Sequence, residues 1–234
     1  MNYIAESAEK AKKNSREKYI YGDKLVFMKD QLPFGFDIDY VLETVEKLIP
    51  RTFFDNIDTV YVGDFKGLGE EGLPFNAKYK DNALYITNDQ DSENDMMDDI
   101  IHEVAHAVEE QFEDQLYSDV AIENEFKGKR NTLYHLLDQE GFEPSEKDFD
   151  NVEYNKYFDH YLYNVVEYPT LSSLTTGLFY SPYSITSLRE YFANGFENYF
   201  LRDKSYLKKI SPLLYEKITD LIYNNTGEKQ NNEY

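Results

Sequence analysis

Asp95-Met96-Met97-Asp98-Asp99-Ile100-Ile101-His102-Glu103-Val104-Ala105-His106-Ala107-Val108-Glu109-Glu110-Gln111-Phe112 is the stretch on which the rest of the chain depends. Met97, Ile101, Val104, Val108 and Phe112 recur at three- and four-residue steps, the period of a helix with one buried stripe. Asp91 and Ser92 are suitable N-caps, and Glu93, Asp95, Asp98 and Asp99 suit the positive end of the helix dipole. On such a helix His102 and His106 lie one above the other on the same face. Each can turn a ring nitrogen toward a single point, which is how a Zn²⁺ ion takes its first two ligands, and the intervening Glu103 can act on a water held there. With only four histidines in 234 residues, this spacing argues against coincidence.

Composition narrows the surroundings of that helix. The chain is 41% hydrophobic and 16% aromatic, with 22 Tyr, 16 Phe and no Trp. That is enough material for a core in one large domain or two small lobes, and it argues against a disordered chain. A formal net charge of −21 repels phosphate backbones, so nucleic acid is excluded as a partner; a basic peptide is the better match. Without cysteine there are no disulfides, and any metal is held by nitrogen and oxygen ligands. The N-terminal residues 1–19 have no apolar core of the kind a Sec signal needs, and no run approaches the ~18 apolar residues of a membrane span. A soluble, cytoplasmic protein is expected.

Residues 1–20 read as a solvated helix or arm. Lys24–Met28 reads as a strand, and Asp37 opens a helix with an Ile38, Val41, Leu42, Val45, Leu48, Ile49 face that Pro50 stops. Ile57–Val62 is a strand and Gly63–Pro74 a glycine-rich loop. Phe75–Tyr79 and Ala83–Thr87 form a hairpin around Lys80-Asp81-Asn82. Leu84-Tyr85-Ile86 is either an edge strand that offers its backbone to an extended peptide or an ordinary interior strand. Helical patterns follow over 118–127, 130–140, 146–157, 159–167, Ser184–Leu201 and Ser211–Tyr223, before a polar tail, 224–234, expected to be disordered.

A catalytic zinc site ordinarily has three protein ligands and one open position. A metzincin would continue with a glycine three residues after His106 and a histidine six after it; Glu109 and Phe112 stand there instead. The thermolysin arrangement places a glutamate about twenty residues on. Asn124-Glu125 fits loosely, although Lys129 occupies the position of the aspartate expected next. Glu190, at the start of the aromatic run Tyr191, Phe192, Phe196, Tyr199, Phe200, is the other candidate. His135 and His160 read as core or surface histidines rather than ligands.

HEVAH followed by Tyr183, then Glu190-Tyr191-Phe192-Ala193, resembles the peptidase domain of the anthrax lethal factor family, which includes the Pro-Pro endopeptidases. The resemblance covers about residues 55–223. It implies that His102, His106 and Glu190 bind zinc, that Glu103 is the general base, and that Tyr183 assists with its phenol; Tyr180 is a rival for that role. A second family glutamate, four residues after the ligand glutamate, is Asn194 here. An amide there orients a ligand without adding charge, which implies weaker metal affinity or lower activity. The fold implied is α+β and zincin-like: a small twisted mixed sheet packed on the HExxH helix, with a mainly helical C-terminal lobe. The expected organisation is one domain over 21–223, its lobes meeting near residue 113 and flanking the metal. The function implied is a gluzincin-like zinc metalloendopeptidase acting on peptide or protein substrates. The alternative is a non-catalytic protein that retains the zinc-binding fold, such as one carried by a phage or other mobile element.

Overall fold

A computed structural model describes residues 16–65 and 76–226. The chain falls into two compact units, Met1–Val108 and Glu109–Tyr234. Among the described residues the fold is α+β, with one five-stranded mixed sheet and mostly helical content elsewhere.

In the first unit the order is β1 (Glu17–Ile20), β2 (Lys24–Met28), α1 (Ile38–Leu48), a 3-10 turn (Arg51–Phe54), β3 (Thr59–Val62), β4 (Ala77–Lys80), β5 (Ala83–Ile86) and the start of α2 (Glu93–Gln111). The sheet order is β1-β2-β3-β5-β4. The three central strands, β2, β3 and β5, run parallel, and β1 and β4 join them antiparallel. Parallel strands need both faces covered. Val26, Val60, Val62, Leu84 and Ile86 are accordingly buried. Helix α1 makes the crossover from β2 to β3. It begins where Asp37 accepts a hydrogen bond from the Tyr40 amide at 3.2 Å, and it buries Ile38, Val41, Leu42 and Val45.

The structure corrects one expectation and decides between two alternatives. Residues 17–20, read as part of an N-terminal arm, form β1; the chain reverses through Tyr21 and Gly22, both at positive φ, and pairs Ile20 with Lys24. Leu84-Tyr85-Ile86 lies in β5 between β3 and β4, so it is interior. The strand at that end of the sheet is β4, joined to β5 by a two-residue turn, Asp81-Asn82, with φ of 51° and 59°, the geometry that matches strand twist in a hairpin. Thr87 donates to the Asn76 carbonyl at 2.8 Å. Hydrogen-bonded and non-bonded pairs alternate along an antiparallel ladder, so the amide of Tyr79, three residues on, faces away from β5. The loop expected over 63–74 lies largely outside the described residues, as do residues 1–15 and most of the polar tail.

The second unit holds α3 (Glu113–Tyr117), α4 (Ala121–Gln139), α5 (Glu146–Asp150), α6 (Lys156–His160), a π-helical stretch (Tyr161–Glu167), α7 (Tyr168–Leu174), a 3-10 turn (Tyr183–Ile185), α8 (Leu188–Leu201), α9 (Lys204–Ile210) and α10 (Pro212–Thr226). Gly128 does not divide α4, although the sequence suggests a break there. The reason is tertiary. Lys129 and Arg130, next along the helix, are both buried and satisfy carbonyls at the ends of other helices. Lys129 donates to the carbonyl of Ile210, the last residue of α9, to the Leu178 carbonyl and to Ser211 Oγ, at 2.5 to 2.8 Å. Arg130 donates to the carbonyls of Asp148 and Asn151 around the end of α5 and lies over the Phe158 ring, 4.4 Å from its centroid. Helix C-termini leave carbonyls unpaired and carry partial negative charge, so a cation satisfies both demands. Burial nevertheless pulls the Lys129 ammonium down to about 8 and the Arg130 guanidinium to about 10.

Candidate metal centre

Helix α2 starts as its sequence suggests. Ser92 Oγ accepts from the Asp95 amide at 3.2 Å and donates to its carboxylate at 2.8 Å. Met97, Ile101, Val104, Val108 and Phe112 are all buried, which fixes the rotation of the helix and sets His102, Glu103 and His106 beside the stripe. The two imidazoles stand edge to face with centroids 5.1 Å apart.

Helix α8 begins at Ser187, whose Oγ accepts from the Glu190 amide at 3.1 Å. This places Glu190 in the first turn, where its charge also suits the helix dipole. His102, His106 and Glu190 form a group whose potential ligand atoms lie within 4.8 Å of one another. His106 is buried at 6% exposure, while His102 and Glu190 are half-buried. Ligand atoms around a tetrahedral ion with ~2.0–2.2 Å bonds stand about 3.4 Å apart, so side-chain adjustments on the order of an ångström close the three onto one cation. Two imidazoles and a carboxylate suit a divalent transition metal, and three protein donors leave a coordination position for water or substrate.

Glu103 is 7% exposed. Its carboxylate accepts a hydrogen bond from the outward-facing amide of Tyr79 in β4, a contact that no side-chain pattern in the sequence could signal. Asp99, one turn before His102, reads in the sequence as a charge that suits the helix dipole, and its pairing with His102 is missed although the i−3 spacing is visible. Burial raises its carboxyl above the ordinary carboxylate range; the Gln90 amide at 3.0 Å and attraction to His102 oppose that rise. Asp99 thus lies within electrostatic reach of His102, a residue of the metal group.

The other candidates are accounted for. Glu125 accepts from the Leu213 and Leu214 amides at 2.9 and 3.2 Å and from the Tyr191 hydroxyl at 2.8 Å. It caps the start of α10 and takes no part in the metal group. Glu109, standing where a metzincin has glycine, accepts from the Tyr117 hydroxyl at 2.6 Å and faces Arg189 at 3.7 Å; burial raises its carboxyl. His135 and His160 are exposed. The ring of His135 lies against Tyr134, and that of His160 meets the Asn164 amide at 2.9 Å.

The Tyr180 hydroxyl donates to the Asp203 carbonyl at 3.4 Å, and its ring packs edge-on to Tyr206. Tyr183 sits in the 3-10 turn with its side chain 47% exposed. Asn194 is buried, and its amide oxygen accepts from Ser181 Oγ at 2.8 Å; Ser181 Oγ in turn accepts from the Ser184 amide at 3.3 Å. The residue that departs from the lethal factor pattern thus ties the turn carrying Tyr183 to α8.

Among the described residues, no helix is long and apolar enough to cross a membrane. No family model, no curated protein and no solved structure matches the chain.

Proposed function

We propose that the chain is a zinc-dependent metalloendopeptidase with a zincin-like fold, akin to the lethal factor and Pro-Pro endopeptidase family. The observation that carries this reading is the meeting of His102 and His106 with Glu190, 84 positions further along the chain. The absence of cysteine and the His-His-Glu donor set favour zinc with an open position for chemistry.

When bound, the ion supplies Lewis acidity, making water a nucleophile near neutral pH and polarising a peptide carbonyl. His102, His106 and Glu190 hold it. Glu103 is the general base: the Tyr79 amide fixes its carboxylate, which takes a proton from the attacking water and returns it to the leaving amine. The Tyr183 hydroxyl donates a hydrogen bond to the oxyanion that develops on the substrate carbonyl. The overall acidity of the chain attracts basic peptides from a distance.

Glu103→Gln, assayed beside the parent for zinc content and for cleavage of casein or a peptide library, with and without chelator, tests the assignment. The parent is expected to cleave and to stop with chelator. The variant is expected to keep its zinc and lose about 10²–10⁴ in rate. Equal cleavage by the variant would remove Glu103 as the base. Zinc without any turnover in the parent would favour the non-catalytic alternative.

A further inference from the structure

A cavity of about 360 Å³ opens in the second unit beside Tyr183. Leu162 and Leu171, both about 2% exposed, belong to its wall with Pro182, and the exposed rings of Tyr163, Tyr168 and Tyr183 complete it. Its volume is at the low end of the ~300–1,000 Å³ of small-molecule sites, which is room for one bulky side chain. Exposed rings grouped around an apolar hollow are the usual form of a recognition surface.

The backbone of this wall carries two irregularities. Tyr161–Glu167 is π-helical, a rare winding that is frequent at functional sites. Glu167 has φ +70°, a conformation unfavourable for any residue with a Cβ. A wider turn followed by a sharp break at Glu167 separates Leu162 and Tyr163 from Tyr168 and Leu171.

Tyr183, assigned above as the oxyanion donor, is itself part of the cavity wall. Thr186 Oγ1 donates to the Tyr183 carbonyl at 2.8 Å, and Ser187 then caps Glu190. The cavity wall and the carboxylate of the metal group are thus fixed to one short, hydrogen-bonded segment. A peptide whose carbonyl meets the Tyr183 phenol brings a neighbouring side chain to the cavity mouth. The lining is apolar apart from the Tyr hydroxyls, Thr186 and one carboxylate, Asp159. A bulky apolar chain gains by burial there, and an acidic chain is repelled.

We propose that this cavity sets cleavage specificity by taking the large apolar or aromatic side chain of the substrate residue next to the bond that is cut. The proposal rests on the peptidase reading above, so its test has one arm that needs no turnover. In that arm, methyl-¹³C-leucine NMR of the full chain follows Leu162 and Leu171 during titration with N-acetyl-phenylalanine amide, N-acetyl-lysine amide and N-acetyl-aspartate amide. The two leucine signals are expected to move with the phenylalanine compound alone. Signals that stay still, or that respond equally to all three, overturn the proposal.

In the second arm, a peptide library is digested by the parent, Tyr163→Lys and Tyr168→Ala. The parent should favour Phe or Leu over Ala at one position beside the cut by at least ~10-fold in kcat/KM, given what single methylenes contribute in such pockets. Tyr163→Lys should shrink that preference and raise acceptance of Asp and Glu. An apolar preference left intact by both substitutions overturns the proposal. Leucine shifts without cleavage by any variant would uphold the cavity as an apolar side-chain site and defeat the peptidase reading separately.

Discussion

Glu190→Gln separates the metal role of this side chain from its part in the fold. The start of α8 does not depend on the carboxylate, because Ser187 caps through the Glu190 backbone amide. The fold loses only a charge at a helix N-terminus, about 0.3–1 kcal/mol, or no more than ~4 °C in Tm for a chain of this size. In the proposed centre the metal would lose one of three ligands. Removing a group that merely orients a ligand weakens affinity 10–100-fold, so losing the ligand itself should weaken it at least ~100-fold, about 2.7 kcal/mol. Thermal unfolding in a series of buffered zinc concentrations reads both effects. At free zinc 100 times the parent's Kd, the parent gains about 2.7 kcal/mol of stability, on the order of 5–10 °C. At the same free zinc the variant gains no more than about 0.4 kcal/mol. Equal gains in Tm across the series would refute the ligand role of Glu190.

Tyr183→Phe is expected to lower kcat about 10²-fold with KM little changed, in steady-state kinetics, because the lost hydrogen bond belongs to the transition state. Glu125→Gln should lower stability to urea by about 1–3 kcal/mol by weakening the cap on the Leu213 and Leu214 amides, with zinc affinity within twofold of the parent; a large loss of zinc would restore Glu125 as a ligand. Lys129→Met strands two carbonyls and a hydroxyl, at a loss of at least ~2 kcal/mol. Lys129 also gives stability a pH slope: the folded chain releases this proton near pH 8, whereas an unfolded lysine keeps it to about 10.4. The unfolded state thus binds more protons between those values, so this contribution to stability rises with pH across that window, and the variant should lack it in urea titrations at pH 7.5 to 10. Gly195→Ala would favour an isolated helix by about 1 kcal/mol, yet its Cβ would stand 2.2 Å from Leu214 Cδ2. Net destabilisation is expected, with relief when Leu214→Ala is added.

What the sequence could reveal follows from where each signal resides. The site helix announces itself locally: its buried stripe, its cap at Ser92 and the His102–His106 spacing all lie between Ser92 and Phe112. Glu190 is one of 45 acidic residues, and nothing in its neighbourhood separates a ligand from a surface charge; only the lethal factor resemblance singles it out. Strand β1 was hidden because Glu17-Lys18-Tyr19-Ile20 alternates over four residues only, and its stability comes from pairing with β2. The interior place of β5 depends on sheet order, which is set by partners distant in sequence. Gly128 misleads because Lys129 and Arg130 read as solvated charges, whereas their burial against helix ends holds α4 together despite the propensity cost of glycine. The Tyr79 amide that steadies Glu103 is backbone, and a residue pattern carries no sign of it.

In the proposed centre one zinc ion is held by α2 and the first turn of α8. Crystals of the parent grown with zinc, with anomalous diffraction recorded on both sides of the zinc absorption edge, test it most directly. The expected result is a single strong zinc peak about 2.0–2.2 Å from a ring nitrogen of His102, a ring nitrogen of His106 and a carboxylate oxygen of Glu190. A map with no zinc at the two histidines, or with zinc bound there while the Glu190 carboxylate lies out of bonding range, would contradict it.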